Sequence, residues 1–255
     1  MPLREHLTEL RKRVVRAGIA VVLGAVAGWF LYDPVFQYLT APVRELQDSG
    51  HDVQINFGQV GASLDLQLKM SVWIGVLVSS PVWIYQLWAF VTPGLTRRER
   101  RYTLAFVTAA VVLFLGGAYL ASLFVPNAVA FLTAFTPEGS TNLFLAADYL
   151  GFIMRTVLAF GAAFLLPVVL VGLNTVGVLP GRAVLRAWRW VTVLCFTIAA
   201  VATPTSDVLA MFYLAMPLLV LFAVAIGICL LTDRRRERRR QQEWGDLDDD
   251  TASAL

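Results

Sequence analysis

Six stretches of this chain are almost continuously apolar: 14–31, 70–91, 104–125, 156–173, 190–202 and 208–231. A helix crossing a bilayer needs about 20 mostly apolar residues, so the pattern predicts six transmembrane helices. The fifth stretch is short. Arg186 and Arg189 bound it on one side, and Thr203-Pro204 ends it on the other. It reads as a tilted partner of the sixth stretch or a span in thinned membrane, with a re-entrant half-helix as the alternative. The first stretch has the basic flank of a signal peptide. Its apolar run exceeds the roughly 7–15 residues of such a segment, and it lacks a small-x-small site before a polar start. A permanent helix is expected there.

Ahead of it, Leu3, Leu7, Leu10 and Val14 recur at helical spacing. They predict an amphipathic lead-in helix lying on the membrane surface and turning into span one. Two long connections, 32–69 and 126–150, carry Phe36, Tyr38, Phe57, Phe131, Phe135 and Phe144. Their length and apolar content predict short helices capping the bundle, with Pro34, Pro42, Pro126 and Pro137 at helix starts or turns. Pro81, Pro167 and Pro217 fall inside spans two, four and six. Interior prolines kink helices, so the bundle is expected to be a concave wall. Gly24 and Gly28 form a small-xxx-small packing pair.

Composition agrees with the pattern. Hydrophobic residues make up 58% and charged residues 15%, against about 45–50% and about 25% in soluble domains. A soluble domain is excluded. The net charge of +3 matters less than its placement. Eighteen of the 21 Lys and Arg residues fall in four segments: residues 4–16, 97–101, 182–189 and 234–240. The rest are Arg44, Lys69 and Arg155. The opposite side carries Asp33, Glu45, Asp48, Asp52, Asp65, Glu138, Asp148 and Asp207. The positive-inside rule places both termini in the cytoplasm. If the fifth stretch did not cross, Arg234 and Arg240 would lie outside, so the charges favour six crossings. The organisation expected is a six-span domain over 1–231. Residues 232–255 form a basic, then acidic tail, expected to be disordered.

Catalytic chemistry finds no footing. The two histidines, His6 and His51, lie outside the apolar runs, and Cys195 and Cys229 sit singly inside them. There is no HExxH, P-loop or intramembrane aspartate pair. The chain is not read as an enzyme, and no cofactor, metal or nucleic acid is expected. A small-molecule or ion secondary transporter is the alternative class. It would place polar residues at the midplane, where this sequence offers few and no inverted repeat.

Two acids stand out because arginines surround them. Glu9 lies in His6-Leu7-Thr8-Glu9-Leu10-Arg11-Lys12-Arg13, and Glu99 in Thr96-Arg97-Arg98-Glu99-Arg100-Arg101. A lead-in helix explains the basic residues around Glu9 without explaining the acid. An intramolecular salt bridge is the ordinary explanation for Glu99. Lys69 and Arg155 suit snorkelling side chains, and Asp207 suits an N-cap for span six.

Blocks in order then bring a family into view: His6-Leu7-x-Glu9-Leu10-Arg11-x-Arg13, Phe36 to Pro42, Lys69-x-Ser71, and Ser80-Pro81 with Gln86, Trp88 and Phe90. Pro93-Gly94-Leu95 with Glu99-Arg100 follow, then Phe124-x-Pro126, Phe160-Gly161 with Phe164 and Pro167, and Thr203-Pro204 with Asp207. Over about residues 3–231 the chain resembles the TatC family, the multispanning core of the twin-arginine protein translocase. The resemblance implies an all-α membrane protein in the bacterial inner membrane. It implies a receptor that binds twin-arginine signal peptides at the cytoplasmic face. It also implies recruitment of single-span TatA- and TatB-type subunits, contact with other copies of itself, and export of folded proteins by the proton-motive force. The family's recognition acids map onto Glu9 and Glu99, with Arg11, Phe90 and Leu95 nearby; Asp207, Pro42 and Lys69 carry over as structural or translocation residues of the outer side. Two positions depart from the family pattern: Leu165 stands where a span-four glutamate is common, and Ala210-Met211 where Ser-Gln is. These losses bear on partner docking rather than on signal recognition.

Overall fold

In lipid a chain must satisfy its own backbone hydrogen bonds, and a helix does so locally. The computed structural model describes residues 3–49, 53–91, 100–134, 142–202 and 208–245. Its first helix, α1 (Leu3–Phe30), runs through lead-in and span without a break. The expected turn between a surface helix and span one is absent, because no Gly or Pro interrupts residues 3–17. After Leu31 comes α2 (Tyr32–Asp48), which buries Leu39, Thr40 and Val43. Strand β1 (Val53–Asn56) pairs in parallel with β2 (Asn142–Leu145), Val53 opposite Asn142. The fold is all-helical as expected, apart from this small sheet, through which the two long connections meet by backbone pairing.

Helix α3 (Ala62–Val78) and helix α4 (Ser80–Val91) follow. They bend by 59° at Ser79, so the kink expected at Pro81 is a break. Proline at the second position of α4 brings no N–H, and the break frees the Val76 carbonyl. The Trp83 indole N–H donates to it at 2.9 Å. Helix α5 (Arg100–Thr133) and helix α6 (Ala146–Val176) contain Pro126 and Pro167. Pro42 and Pro126 therefore lie inside helices, not at the starts or turns expected. Gly177, at φ 88°, ends α6 in the left-handed conformation that glycine tolerates. Short α7 (Gly181–Arg186) leads to α8 (Trp188–Ala202) and α9 (Val208–Gly245), which contains Pro217. Residues 232–245 continue α9 as helix, correcting the expected disordered tail over that part. Leu95, Glu99 and Asp207 lie outside the described residues.

Among the described residues, four helices are long and apolar enough to cross a bilayer: Leu7–Phe30, Thr103–Phe131, Ala146–Val176 and Leu214–Arg238. The bent pair Ala62–Val78 and Ser80–Phe90 passes the same test jointly. The apolar helix Trp188–Val201 is shorter. At 1.5 Å per residue the 15 residues of α8 span about 22 Å, against about 30 Å of hydrocarbon.

Close approach of backbones sets the helix order. A Cβ on Gly24 would lie 2.7 Å from the Gly75 carbonyl oxygen, and one on Gly28 would strike the Ser71 carbonyl. The small-xxx-small pair is thus the crossing of α1 over antiparallel α3. A similar crossing joins α5 to α6, where Gly117 faces Phe160 and Phe164, and Gly161 faces Phe114. The Trp73 indole donates to the Met154 carbonyl at 3.0 Å, and the Trp88 ring fills the space beside Gly172. These two contacts make α3 and α4 run parallel to α6. Asn174 at the end of α6 meets Asp233 of α9 at 2.8 Å. The start of α1 and the ends of α4, α6 and α9 consequently share one end of the bundle. The core of Phe160, Leu150, Ile153, Met70 and Leu218 lies between the ends.

Candidate functional site

The end that gathers α1, α4, α6 and α9 holds most of the described arginines. Glu9 sits two turns into α1, one helical repeat before Arg13. Arg13 donates from Nε at 3.0 Å and from Nη2 at 2.5 Å, both to Glu9 Oε1. The side chains are 21% and 31% exposed for Arg13 and Glu9. One guanidinium edge thus rests on one carboxylate oxygen, and neither of these bonds uses Oε2. Arg11 is exposed. It lies two residues from Glu9, a spacing that does not face the same way on a helix.

Phe90 is half-buried in the last turn of α4, and α4 packs on α1. Glu9 and Phe90 therefore share this end. The α4 segment is held from behind: Trp88 stacks on Phe106 with ring centroids 5.0 Å apart, and Ile84 and Phe114 complete the cluster. Leu165 packs against the same cluster. The side chain replacing the family's span-four acid is thus satisfied by apolar neighbours. Ser79 and Ser80 are buried, and their hydroxyls, with Gln86 Oε1, have no hydrogen-bond partner among the described residues.

Lys69 and Pro42 are not brought to this end. Lys69 Nζ lies 2.7 Å from Asp65 Oδ2, both well exposed, in the first turns of α3. Pro42 lines a crevice between α2 and α5 with Pro126 and Tyr38, whose hydroxyl lies 3.4 Å from Ser122 Oγ. Tyr149 of α6 donates to the Leu39 carbonyl at 2.9 Å, fixing α2 across the opposite end of the bundle.

One acid at the charged end escaped the sequence argument. Asp233 Oδ1 accepts from Asn174 Nδ2 at 2.8 Å, and Oδ2 from the Gly181 N–H at 2.6 Å. Asn174 Nδ2 also reaches the Leu179 carbonyl at 2.9 Å, and Arg236 Nη2 donates to the Thr175 carbonyl at 2.9 Å. The α9 extension is thereby fastened to the α6–α7 connection. The signal was present: Asp233 stands directly ahead of a run of six arginines interrupted by Glu237, an oddity like the one that singled out Glu9 and Glu99.

Comparison with known proteins carries the assignment further. Residues 5–217 match the family model described as TatC, Sec-independent protein translocase protein. The Sec-independent protein translocase protein TatC of Xylanimonas cellulosilytica is 48% identical over 240 residues, covering 94% of this chain and 87% of that protein. TatCy of Bacillus subtilis is 30% identical, covering 93% and 92%. A crystal structure of the twin-arginine translocase receptor TatC in DDM superposes with a TM-score of 0.76 at 30% identity, over 88% of this chain and 99% of that one. The chain belongs to the TatC family and is a multi-pass, non-enzymatic membrane component of the Sec-independent protein translocase.

Proposed function

We propose that this chain is the receptor and scaffold subunit of the translocase. It binds twin-arginine signal peptides at the cytoplasmic face of the bacterial inner membrane and recruits single-span TatA- and TatB-type partners for export of folded cargo by the proton-motive force. The observation that carries this reading is the Glu9 carboxylate. It is partly exposed, and both hydrogen bonds from Arg13 fall on one of its oxygens, at the end of the bundle shared with Phe90. Six spans are supported by the four long helices, the bent pair taken as one, and α8 as a short sixth. The start of α1 and the later part of α9 at one end favour an even number of crossings, and the arginine-rich segments there favour the cytoplasmic side.

The chemistry is that of a guanidinium fork. A carboxylate takes arginine through two parallel N–H bonds, which an ammonium cannot copy. Arg13 holds Glu9 through an i,i+4 pair, worth roughly 0.3–0.5 kcal/mol when exposed. That hold is weak enough for an incoming arginine to share or displace. Glu99 serves as the second acid, with Arg11, Phe90 and Leu95 as further recognition residues. The surrounding arginines face anionic headgroups, so the acids remain local wells in a basic surface. Partner helices dock without the span-four acid, since Leu165 stands there. Asp207, Pro42 and Lys69 act at the outer side as positioning residues.

The test is binding of a labelled twin-arginine peptide to the purified protein in nanodiscs, against a twin-lysine peptide and Glu99→Ala. Tighter twin-arginine binding that Glu99→Ala abolishes supports the receptor. Equal binding of both peptides, unmoved by Glu99→Ala, reduces it to generic charge attraction.

A further inference from the structure

The Asp233 fastening borders a pocket of about 220 Å³ lined by Asn174, Leu179, Arg182, Asp233, Arg236 and Glu237. We propose that this pocket binds the headgroup of a zwitterionic phospholipid with a primary ammonium, the phosphoethanolamine chemistry. Its floor is Asn174, 1% exposed. Both amide contacts from Nδ2 go to acceptors, the Leu179 carbonyl and Asp233 Oδ1, so the orientation of the amide is set. Asn174 Oδ1 is left buried without a hydrogen-bond partner among the described residues. Asn174 is among the residues lining the pocket, and a buried acceptor left open is costly, so an N–H or O–H donor lodged there would relieve it once the amide oxygen is uncovered.

The rim supplies the other half. Arg182 is 80% exposed and lies 3.8 Å from Glu237, itself 59% exposed. That distance is too long for a direct hydrogen bond, so both groups are free to re-pair. Arg182 then takes a phosphate, and Glu237 joins Asn174 Oδ1 in taking an ammonium. The four charged groups lining the pocket, two arginines and two acids, balance to zero. A neutral pocket suits a zwitterion better than an anion.

Height in the membrane points to lipid as the source. The pocket sits where the α6 helix ends at Val176 and where the apolar run of α9 gives way to Asp233 and arginines. Beside it α8 opens with Trp188 and Trp190, 54% and 77% exposed, on either side of Arg189 and ahead of the first apolar turn. Exposed tryptophans with arginines mark the headgroup level. This proposal needs only that level and does not depend on signal-peptide recognition.

The test is native mass spectrometry of the full chain, stripped in detergent and titrated with phosphatidylethanolamine, phosphatidylcholine or phosphatidylglycerol. Choline has no N–H to give Asn174 Oδ1, so ethanolamine lipid is expected to be retained about fivefold better. Glu237→Ala should bring that ratio below about twofold, while Arg182→Ala weakens both lipids through their shared phosphate and spares the ratio. Asn174→Leu should also erase the preference. Glu237 is exposed, so its variant answers even if Asn174→Leu fails to fold. Equal retention of ethanolamine and choline lipids overturns the proposal. So does tightest binding of phosphatidylglycerol, or a preference untouched by Glu237→Ala.

Discussion

Glu9 and Asp233 are carboxylates at the same end of one bundle, each set among arginines, and they are held in opposite ways. Glu9 takes its partner from its own helix, four residues away, on one oxygen. Asp233 takes partners 59 and 52 residues away, one on each oxygen, and one of them is a backbone N–H that opens α7. A local, half-used pair leaves an acid free to exchange its guanidinium. A carboxylate with both oxygens committed to distant segments holds the chain together and has little left for a ligand. Local charge pattern alone treats the two alike; what separates them is the reach and number of their partners.

The largest effect expected from this contrast is on Asp233. Asp233→Ala leaves the Gly181 N–H without its acceptor and removes one from the Asn174 amide. Hydrogen bonds to a charged group are worth about 1.5–3 kcal/mol each, less where water can enter, so a loss of roughly 2–4 kcal/mol is expected. Thermal unfolding in detergent reads it as a clear fall in Tm. If Asp233→Ala unfolds with the wild type, the fastening is ornamental and the contrast with Glu9 collapses.

The mirror experiment is Glu9→Gln. Stability should change by less than about 0.5 kcal/mol, the worth of an i,i+4 pair within one helix. Affinity for a twin-arginine peptide should fall about tenfold, as expected for loss of a charge-assisted fork. Titration of the labelled peptide and a melting curve on the same sample settle both halves. A Glu9 variant that melts early while binding normally would give Glu9 the structural role and break the comparison from the other side.

Trp83 joins two segments over a shorter range, with its indole on the Val76 carbonyl at the 59° break. Trp83→Phe keeps an aromatic ring beside Phe114, which the indole meets edge-on at 5.2 Å, and removes the N–H donor with part of the indole's bulk. A cost of about 1 kcal/mol is expected, smaller than at Asp233 because one bond is lost instead of two. Amide exchange should accelerate in residues 76–83 and stay unchanged in α6.

How much of this was legible follows the same division. Helix positions could be read from apolar runs, since each run is local and lipid permits little else. The α1–α3 crossing was foreshadowed by Gly24 and Gly28, whose spacing places both on one face. The β1–β2 pair was not legible: four-residue strands 89 residues apart carry too little periodicity to find each other on paper. Pro42 and Pro126 misled because proline's preference for first turns is statistical, and packing between α2 and α5 accommodates them inside helices. The helix over residues 232–245 was not legible because composition gives no account of it, whereas α9 enters this stretch already helical and Asp233 fastens its first turn. Of the candidate site, Glu9 and its neighbourhood could be read, because an acid among arginines is a local anomaly. Asp233 presented the same anomaly, but its distant partners could not be seen.

A third carboxylate places a lower bound on the comparison. Asp65 pairs with Lys69 at 2.7 Å, again four residues apart, but the side chains are 58% and 61% exposed. This pair has the local reach of Glu9 without its partial burial. Water competes for both ions and salt screens them, so Lys69→Gln should cost less than about 0.3 kcal/mol and vanish in high salt. A role in translocation is also proposed for Lys69, so stability and export must be read separately. A fall in export of a twin-arginine cargo with an unchanged Tm would assign Lys69 a task outside its ion pair. A fall in Tm as large as that of Trp83→Phe would mean that exposure, and with it the gradation from Asp233 to Glu9 to Asp65, does not govern what these acids are worth.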